Sequence, residues 1–272
     1  MHVTRRSFLR SGLGLAAGGV LADGVGFERL CIGIDGHELP QNAGPKLGLR
    51  VVQLADLHLQ RVHAGLRALC RELSALQPDL ILFTGDAVDR ADKLPELAHL
   101  LGLLPAATPK IAVLGNWEYW GRVDPRALAR LYAAHGGRLL VNESVTLPLG
   151  RHTVAITGLD DLLGGRPDYE RALQSFQPAD RHLVLTHCPE HADTIRASYQ
   201  AQPPIDLILS GHTHGGQVNL LGFAPLRPPG SGRYVRGWYA EQLPPLFVSR
   251  GIGTSVLPLR LGARATAEVF YL

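Results

Sequence analysis

Five short stretches carry the residue types that hold divalent cations for hydrolysis: Asp56-Leu57-His58, Gly85-Asp86, Gly115-Asn116, Thr186-His187 and Gly211-His212-Thr213-His214. Carboxylate, imidazole and amide oxygen make a mixed set of hard and borderline donors, which suits ions such as Mn, Zn or Fe without selecting one. Two such ions about 4 Å apart can orient a bridging hydroxide and neutralise phosphoryl oxygens during an in-line displacement. Taken singly, an Asp-x-His or a Gly-Asp is more often a turn or a helix cap.

Their shared context sets these stretches apart. A Val-, Leu- and Ile-rich run precedes each one, at residues 50–54, 80–83, 111–114, 183–185 and 207–209, and such runs read as buried strands. Every candidate ligand therefore falls just past the carboxyl end of a strand, where open α/β sheets place their active sites. Helical patterns lie between the strands at 64–76, near 94–103, at 169–175 and at 190–198. Another opens at Asp124-Pro125, with an Asp cap and Pro in the first turn, and should run to about residue 135 before Gly136-Gly137 stops it. Residues 145–156 read as a hairpin turning at Gly150-Arg151, and strand and loop signals dominate after residue 209. The alternation predicts an α/β fold of two sheets flanked by helices. Asp56 and His58, two apart in an extended segment, are expected to project to one side and converge on one ion, whereas His212 and His214 need a bent loop to serve different ions.

A chain of 272 residues, 46% of them apolar, has the size of one large α/β domain. Thr4-Arg5-Arg6-Ser7-Phe8-Leu9-Arg10 followed by an apolar Gly/Ala-rich stretch at 12–22 has the layout of a twin-arginine export signal over residues 1–22. The stretch falls short of the roughly 20 apolar residues a spanning helix needs and ends at Asp23, so it predicts a removed signal; if retained, it would leave the protein membrane-associated. Residues 23–46 read as an irregular lead-in with a short edge strand near 32–37, and 47–272 as the catalytic domain. The signal holds Arg5, Arg6 and Arg10 and no acidic residue, so 27 basic and 24 acidic side chains become 24 and 24. Without surplus positive charge, a nucleic-acid polymer is not expected as substrate and a small ester is. Three cysteines without metal-type spacing, Cys31, Cys70 and Cys188, predict no disulfide framework.

The order of the five stretches resembles the calcineurin-like metallophosphoesterases, whose motifs are Asp-x-His, Gly-Asp-x-x-Asp, Gly-Asn-His-(Asp/Glu), a Thr-His pair and Gly-His-x-His. The resemblance runs from about Leu47 to the C-terminus. Gly211 to Gln217 and Val248-Ser249-Arg250-Gly251-Ile252-Gly253 look like the twin-arginine-exported branch. It implies a four-layer αββα sandwich with two mixed sheets and the metal site at the carboxyl ends of the strands. It also implies that Asp56, His58 and His214 hold one metal, that Asn116, His187 and His212 hold the other, and that Asp86 bridges them. The implied reaction is hydrolysis of a phosphodiester or phosphomonoester outside the cytoplasm, on an envelope lipid or a nucleotide, with the twin-arginine translocase as partner during export. Two alternatives stand beside it: a pyrophosphatase of a UDP-linked acylated sugar, and a metal-binding module that has lost turnover. Asp89 stands where iron-type purple acid phosphatases carry a tyrosine, which argues against a stable ferric site; it could orient a ligand histidine or cap the next helix.

One position departs from the pattern, since Gly115-Asn116-Trp117-Glu118 carries Trp where the family has a non-ligand His. Indole can donate a hydrogen bond but cannot protonate a departing alkoxide, and positioned acid catalysis contributes about 10² to 10⁴ in rate. Aryl or nucleotide-type diesters and pyrophosphate bonds are therefore expected to outrun alkyl phosphates. Glu118, His63 and His135 are the alternative acids, and Trp117 could stack on the substrate or pack a loop with Tyr119 and Trp120. Gly215 and Gly216 would let backbone approach a phosphate, with Gln217 as a donor, or they form a tight turn. The Arg- and aromatic-rich segment 227–239 reads as a substrate-facing or a solvated loop. His2, His37, His99, His152, His182 and His191 read as ordinary imidazoles.

Overall fold

In the computed structural model, residues 23–40, 45–198, 203–219, 223–225 and 227–272 are described, so the export signal expected at 1–22 lies outside the described residues. Among the described residues, twelve strands form two six-stranded mixed sheets. The first contains β1 (Gly33–Glu38), β2 (Arg50–Leu54), β3 (Leu80–Thr84), β4 (Lys110–Val113), β5 (Gly137–Leu139) and β12 (Thr266–Tyr271), in the order β1-β12-β2-β3-β4-β5. The second contains β6 (Glu143–Leu149), β7 (His152–Gly158), β8 (Arg181–Leu185), β9 (Leu207–Ser210), β10 (Gly237–Tyr239) and β11 (Leu246–Val248), in the order β10-β11-β9-β8-β7-β6.

The expected four layers are present. Val51, Leu80, Leu82 and Ile111 of the first sheet pack against Ile156, Leu183, Leu185 and Leu209 of the second. Helices α1 (Ala64–Leu76), α2 (Leu94–Leu103) and α4 (Pro125–Ala133) cover the outer face of the first sheet, and α6 (His191–Ser198) covers the outer face of the second. Two shorter helices, α3 (Asn116–Trp120) and α5 (Tyr169–Leu173), complete the set that matters here. Strands β3 and β8 are buried at every residue, which explains why residues 80–83 and 183–185 within them read as unbroken apolar runs rather than alternations.

Local chemistry explains the helices. In α1, Leu66, Leu69, Cys70 and Leu73 are buried at helical spacing, and the helix ends at Gln77 in the left-handed region, φ 50°. Asp124 caps α4 by accepting from the backbone N–H of Arg126 at 3.0 Å. That helix stops at Ala133, two residues short of expectation, because the chain closes with 132–135 and 133–136 turns into Gly136, φ 71°. The lead-in contributes β1, an edge strand parallel to β12. The C-terminal strand β12 returns between β1 and β2, antiparallel to β2 with Val269 opposite Val52.

Candidate metal centre

The parallel strands β2, β3 and β4 of one sheet and β8 and β9 of the other end along one shared edge, and the loops after them bring all seven expected ligands together. Asp56, His58 and His214 form one group of donor atoms lying within 4.8 Å of one another, and Asp86, His187 and His212 form a second. Asp86 lies between them, its Oδ2 3.1 Å from His187 Nε2 and 3.6 Å from His58 Nε2. Asn116 Oδ1 lies 3.1 Å from His187 Nε2 and so joins the second group. All seven side chains are buried.

The expected route to this geometry needs correction at one point. Asp56 and His58 do not converge from an extended segment: their φ angles are 51° and 41°. Asp86 (52°), His212 (73°) and His214 (51°) share the left-handed region, so five of the ten positive-φ non-glycine residues among the described residues are candidate ligands. That conformation is uncommon outside glycine and concentrates at sites where the surrounding fold over-determines the backbone. Here it folds each loop back at the strand end, turning alternate side chains inward.

Two glycines make room for this packing. A Cβ on Gly85, itself at φ 91°, would lie 2.4 Å from His187 Nδ1, and one on Gly115 would lie 2.3 Å from Asp86 Oδ1. Below the ligands the two sheets are tied together, since the Gln53 side chain donates to Thr84 Oγ1 and to the Ser210 carbonyl. Above it, both Asp56 carboxylate oxygens accept from the backbone N–H of His212, at 2.8 and 3.0 Å.

Outer partners fix the tautomers of three histidines. His58 Nδ1 donates to Asp89 Oδ1 at 2.6 Å, His187 Nδ1 to the Thr84 carbonyl at 2.8 Å, and His212 Nε2 to the Pro229 carbonyl at 2.6 Å. Each points its other nitrogen into the cluster, where a bound metal ion would take it as a ligand. Of the two roles open to Asp89, the structure shows the orienting one. His214 differs: its Nδ1 faces Arg260 Nη2 at 3.3 Å. Arg260 is fully buried and anchored on the carbonyls of Arg250, Gly253 and Ala263. Nothing in its own sequence neighbourhood marked it.

Electrostatics describe a cluster built around positive charge. Burial pushes the Asp56 carboxyl up to about 6 against the pull of His187. Burial also acts on Asp86, yet the charge and hydrogen bond of His187 prevail and hold it at about 2. Burial and the neighbouring His187 charge push His212 down to about 4, and burial with His58 drives His214 well below the usual imidazole range. Buried imidazoles and carboxylates at this density are costly unless paired or coordinated to a cation, and the donor types and inward-pointing ring nitrogens fit a pair of divalent ions.

A profile of the calcineurin-like phosphoesterase family matches residues 49–216. The chain belongs to that family. The metallophosphoesterase YkuE of Bacillus subtilis is 32% identical, over 99% of this chain and 98% of its own length. Phosphodiesterase YaeI of Escherichia coli is 30% identical over 99% of both chains. The UDP-2,3-diacylglucosamine pyrophosphatase LpxG of Chlamydia muridarum is 30% identical over 67% of this chain and 68% of its own. This metallophosphoesterase is thus a metal-dependent hydrolase with two candidate metal-ligand groups.

The remaining expected residues fall differently. Glu118 does not face the site: its carboxylate accepts the backbone N–H groups of Asp86, Ala87, Val88 and Gly115, and it clamps the two loops that present Asp86 and Asn116. His63 caps α1, accepting from Gly65 N at 3.2 Å, and His135 Nδ1 bonds the Leu131 carbonyl; neither lines the cleft over the metal centre. Gly215 packs against Arg250 and likewise leaves the cleft to Gly216. The Gln217 amide is tied to Leu257 O and Ser255 N, at 2.9 and 3.1 Å. From the segment 227–239 the cleft takes Arg227, Pro228 and Pro229, while Arg233 bonds Gln242 and Arg236 bonds the Gly262 carbonyl. Trp117 lines the cleft with its ring edge-on to His58 at 5.8 Å, and its backbone N–H donates to Asp86 Oδ1 at 2.9 Å. Tyr119 packs away, donating to Asp160, but Trp120 stays 56% exposed at the cleft mouth.

Proposed function

We propose that this metallophosphoesterase hydrolyses a phosphodiester or, less readily, a phosphomonoester, using two divalent ions drawn from Mn, Zn and Fe. The observation that carries the reading is that Asp86 of one donor group also lies 3.6 Å from His58 of the other, and that both groups open into one cleft of about 390 Å³. Bound there, the ions would supply an activated water and neutralise the phosphoryl oxygens. The chain's own part is to hold them in place: Asp56, His58 and His214 on one side, Asn116, His187 and His212 on the other, Asp86 between. Trp117 walls the cleft beside His58 and gives no proton to the leaving oxygen. Beyond the ligands, no carboxyl, imidazole or phenol among the described residues lines the cleft, and its further ionisable side chain there is Arg227. The leaving group must therefore depart as a stable anion.

A cleft without such an acid among the described residues also favours a second reading, cleavage of a pyrophosphate bond, whose leaving phosphate needs no proton; the relative LpxG is named for such a reaction. The twin arginines Arg5 and Arg6 support export through the twin-arginine translocase and action outside the cytoplasm on an envelope lipid or a nucleotide. Lysine at both positions should then keep a tagged protein in the cytoplasmic fraction.

The catalytic reading is tested by quantifying bound metal in the purified full chain and assaying bis-aryl and mono-aryl phosphates with and without Mn. Metal-dependent turnover with preference for the diester supports it. Stoichiometric metal with no turnover would mark a binding module instead.

A further inference from the structure

The cleft that opens from the metal centre has apolar walls. Trp117 and Trp120 form one side with their rings 5.6 Å apart, and Val218, Pro229, Val256 and Leu257 form the rest. Three of these side chains face solvent to an extent unusual for their size: Trp120 at 56%, Val256 at 86% and Leu257 at 48%. Val256 is held there at φ 60°, a conformation β-branched residues seldom adopt. Clustered exposed apolar side chains around a site indicate that something apolar covers them.

Of the polar side chains lining the same cleft outside the ligand groups, Gln217, Thr213 and Arg227 already bond within the protein, Arg227 through one of its N–H groups. Both ends of the Gln217 amide bond the loop at 255–257, the Thr213 hydroxyl donates to the Val235 carbonyl, and Arg227 donates to the Gly232 carbonyl. A pocket that read a base and ribose would need free donors and acceptors at those places. The occupant must also reach Asp86, Asn116, His212 and His214, which form the inner end of the cleft.

We propose that the cleft seats an apolar chain carried by the phosphoester substrate, with Trp117, Trp120, Val218, Val256 and Leu257 selecting an amphiphilic diester over a nucleotide. The inference rests on the phosphoesterase reading and narrows its substrate class. Each methylene drawn from water into such a wall contributes about 0.8 kcal/mol, up to about fourfold in affinity.

Two measurements test it. With Mn-loaded full-length protein, kcat/KM should rise along the series p-nitrophenyl methyl, butyl and octyl phosphate, and Val256→Asp with Leu257→Asp should lower the octyl value far more than the methyl value. A flat series, or equal losses for both esters, overturns the proposal while leaving the phosphoesterase reading intact. Independently of turnover, octyl phosphate should perturb tryptophan emission at a concentration at least about tenfold below that of methyl phosphate or AMP, and Trp120→Gln should diminish the response. AMP binding as tightly as octyl phosphate overturns the proposal even if no ester is hydrolysed.

Discussion

Asp89 accepts a hydrogen bond from His58 Nδ1 at 2.6 Å, while its other oxygen accepts from the Gln60 amide at 3.0 Å. The carboxylate thus sits behind a candidate ligand and decides which imidazole nitrogen faces Asp86. Partners of this kind typically contribute about 10- to 100-fold in metal affinity. Asp89→Ala should weaken Mn binding by about that factor in calorimetric titration, and Asp89→Asn should recover part of it. Unchanged affinity in both variants would reduce the contact to surface packing.

A different carboxylate holds the backbone. Glu118, 2% exposed, accepts four backbone N–H groups from the loops bearing Asp86 and Asn116. Burial, reinforced by the nearby Asp86 charge, lifts its carboxyl to about 7. Glu118→Gln would set an amide N–H₂ against two of those donors, and each buried donor without an acceptor costs about 1–3 kcal/mol. The variant should lose roughly 2–4 kcal/mol in urea unfolding and bind less metal, while the kcat/KM pH profile of the remaining active protein keeps its shape. A stable, metal-replete variant whose alkaline limb has vanished would instead make Glu118 the missing proton donor.

Much of this was legible because the relevant strands are buried on both faces. Residues 80–83 and 183–185 carry apolar side chains toward both the inter-sheet core and the outer helices, so the runs stand out and the polar residues that follow mark the sheet edge. What the pattern could not carry is long-range pairing. Arg260 meets His214 across 46 residues, Thr266–Tyr271 finds its place only between strands from the start of the chain, and Val256 becomes a wall only once the loop at 217 is beside it. Backbone conformation was equally hidden: nothing in the letters Asp-Leu-His separates an extended segment from two left-handed residues.

Acid sensitivity should arise away from the metal centre. His182, 3% exposed, bonds the Thr157 hydroxyl and the Pro204 carbonyl, and burial pushes its imidazole from 6.5 down to about 4. The unfolded chain therefore takes up this proton first. Its contribution is intact above pH 6.5, is lost as pH falls toward 4 and changes no further below. The whole loss amounts to about 3 kcal/mol at most. Urea midpoints of wild type and His182→Gln should converge on acidification through this window, whereas parallel curves would show that His182 does not titrate there.

Trp117 puts the family's acid chemistry to a direct test. Its ring stands 5.8 Å from His58 and lines the cleft, where the family motif places a histidine, and indole has no proton to give an alkoxide. Wild-type protein should turn over p-nitrophenyl diesters far faster than dialkyl phosphates, because nitrophenolate leaves without protonation. Trp117→His supplies an imidazole able to donate, so alkyl-ester turnover should rise by about 10²-fold or more while aryl-ester turnover changes by less than about tenfold. The gain should fade above the pH at which the new imidazole loses its proton, a signature that a change of cleft shape would not produce. Equal aryl and alkyl rates in the wild type, with neither altered by the substitution, would mean that the leaving oxygen is protonated from elsewhere and that Trp117 serves only as a wall.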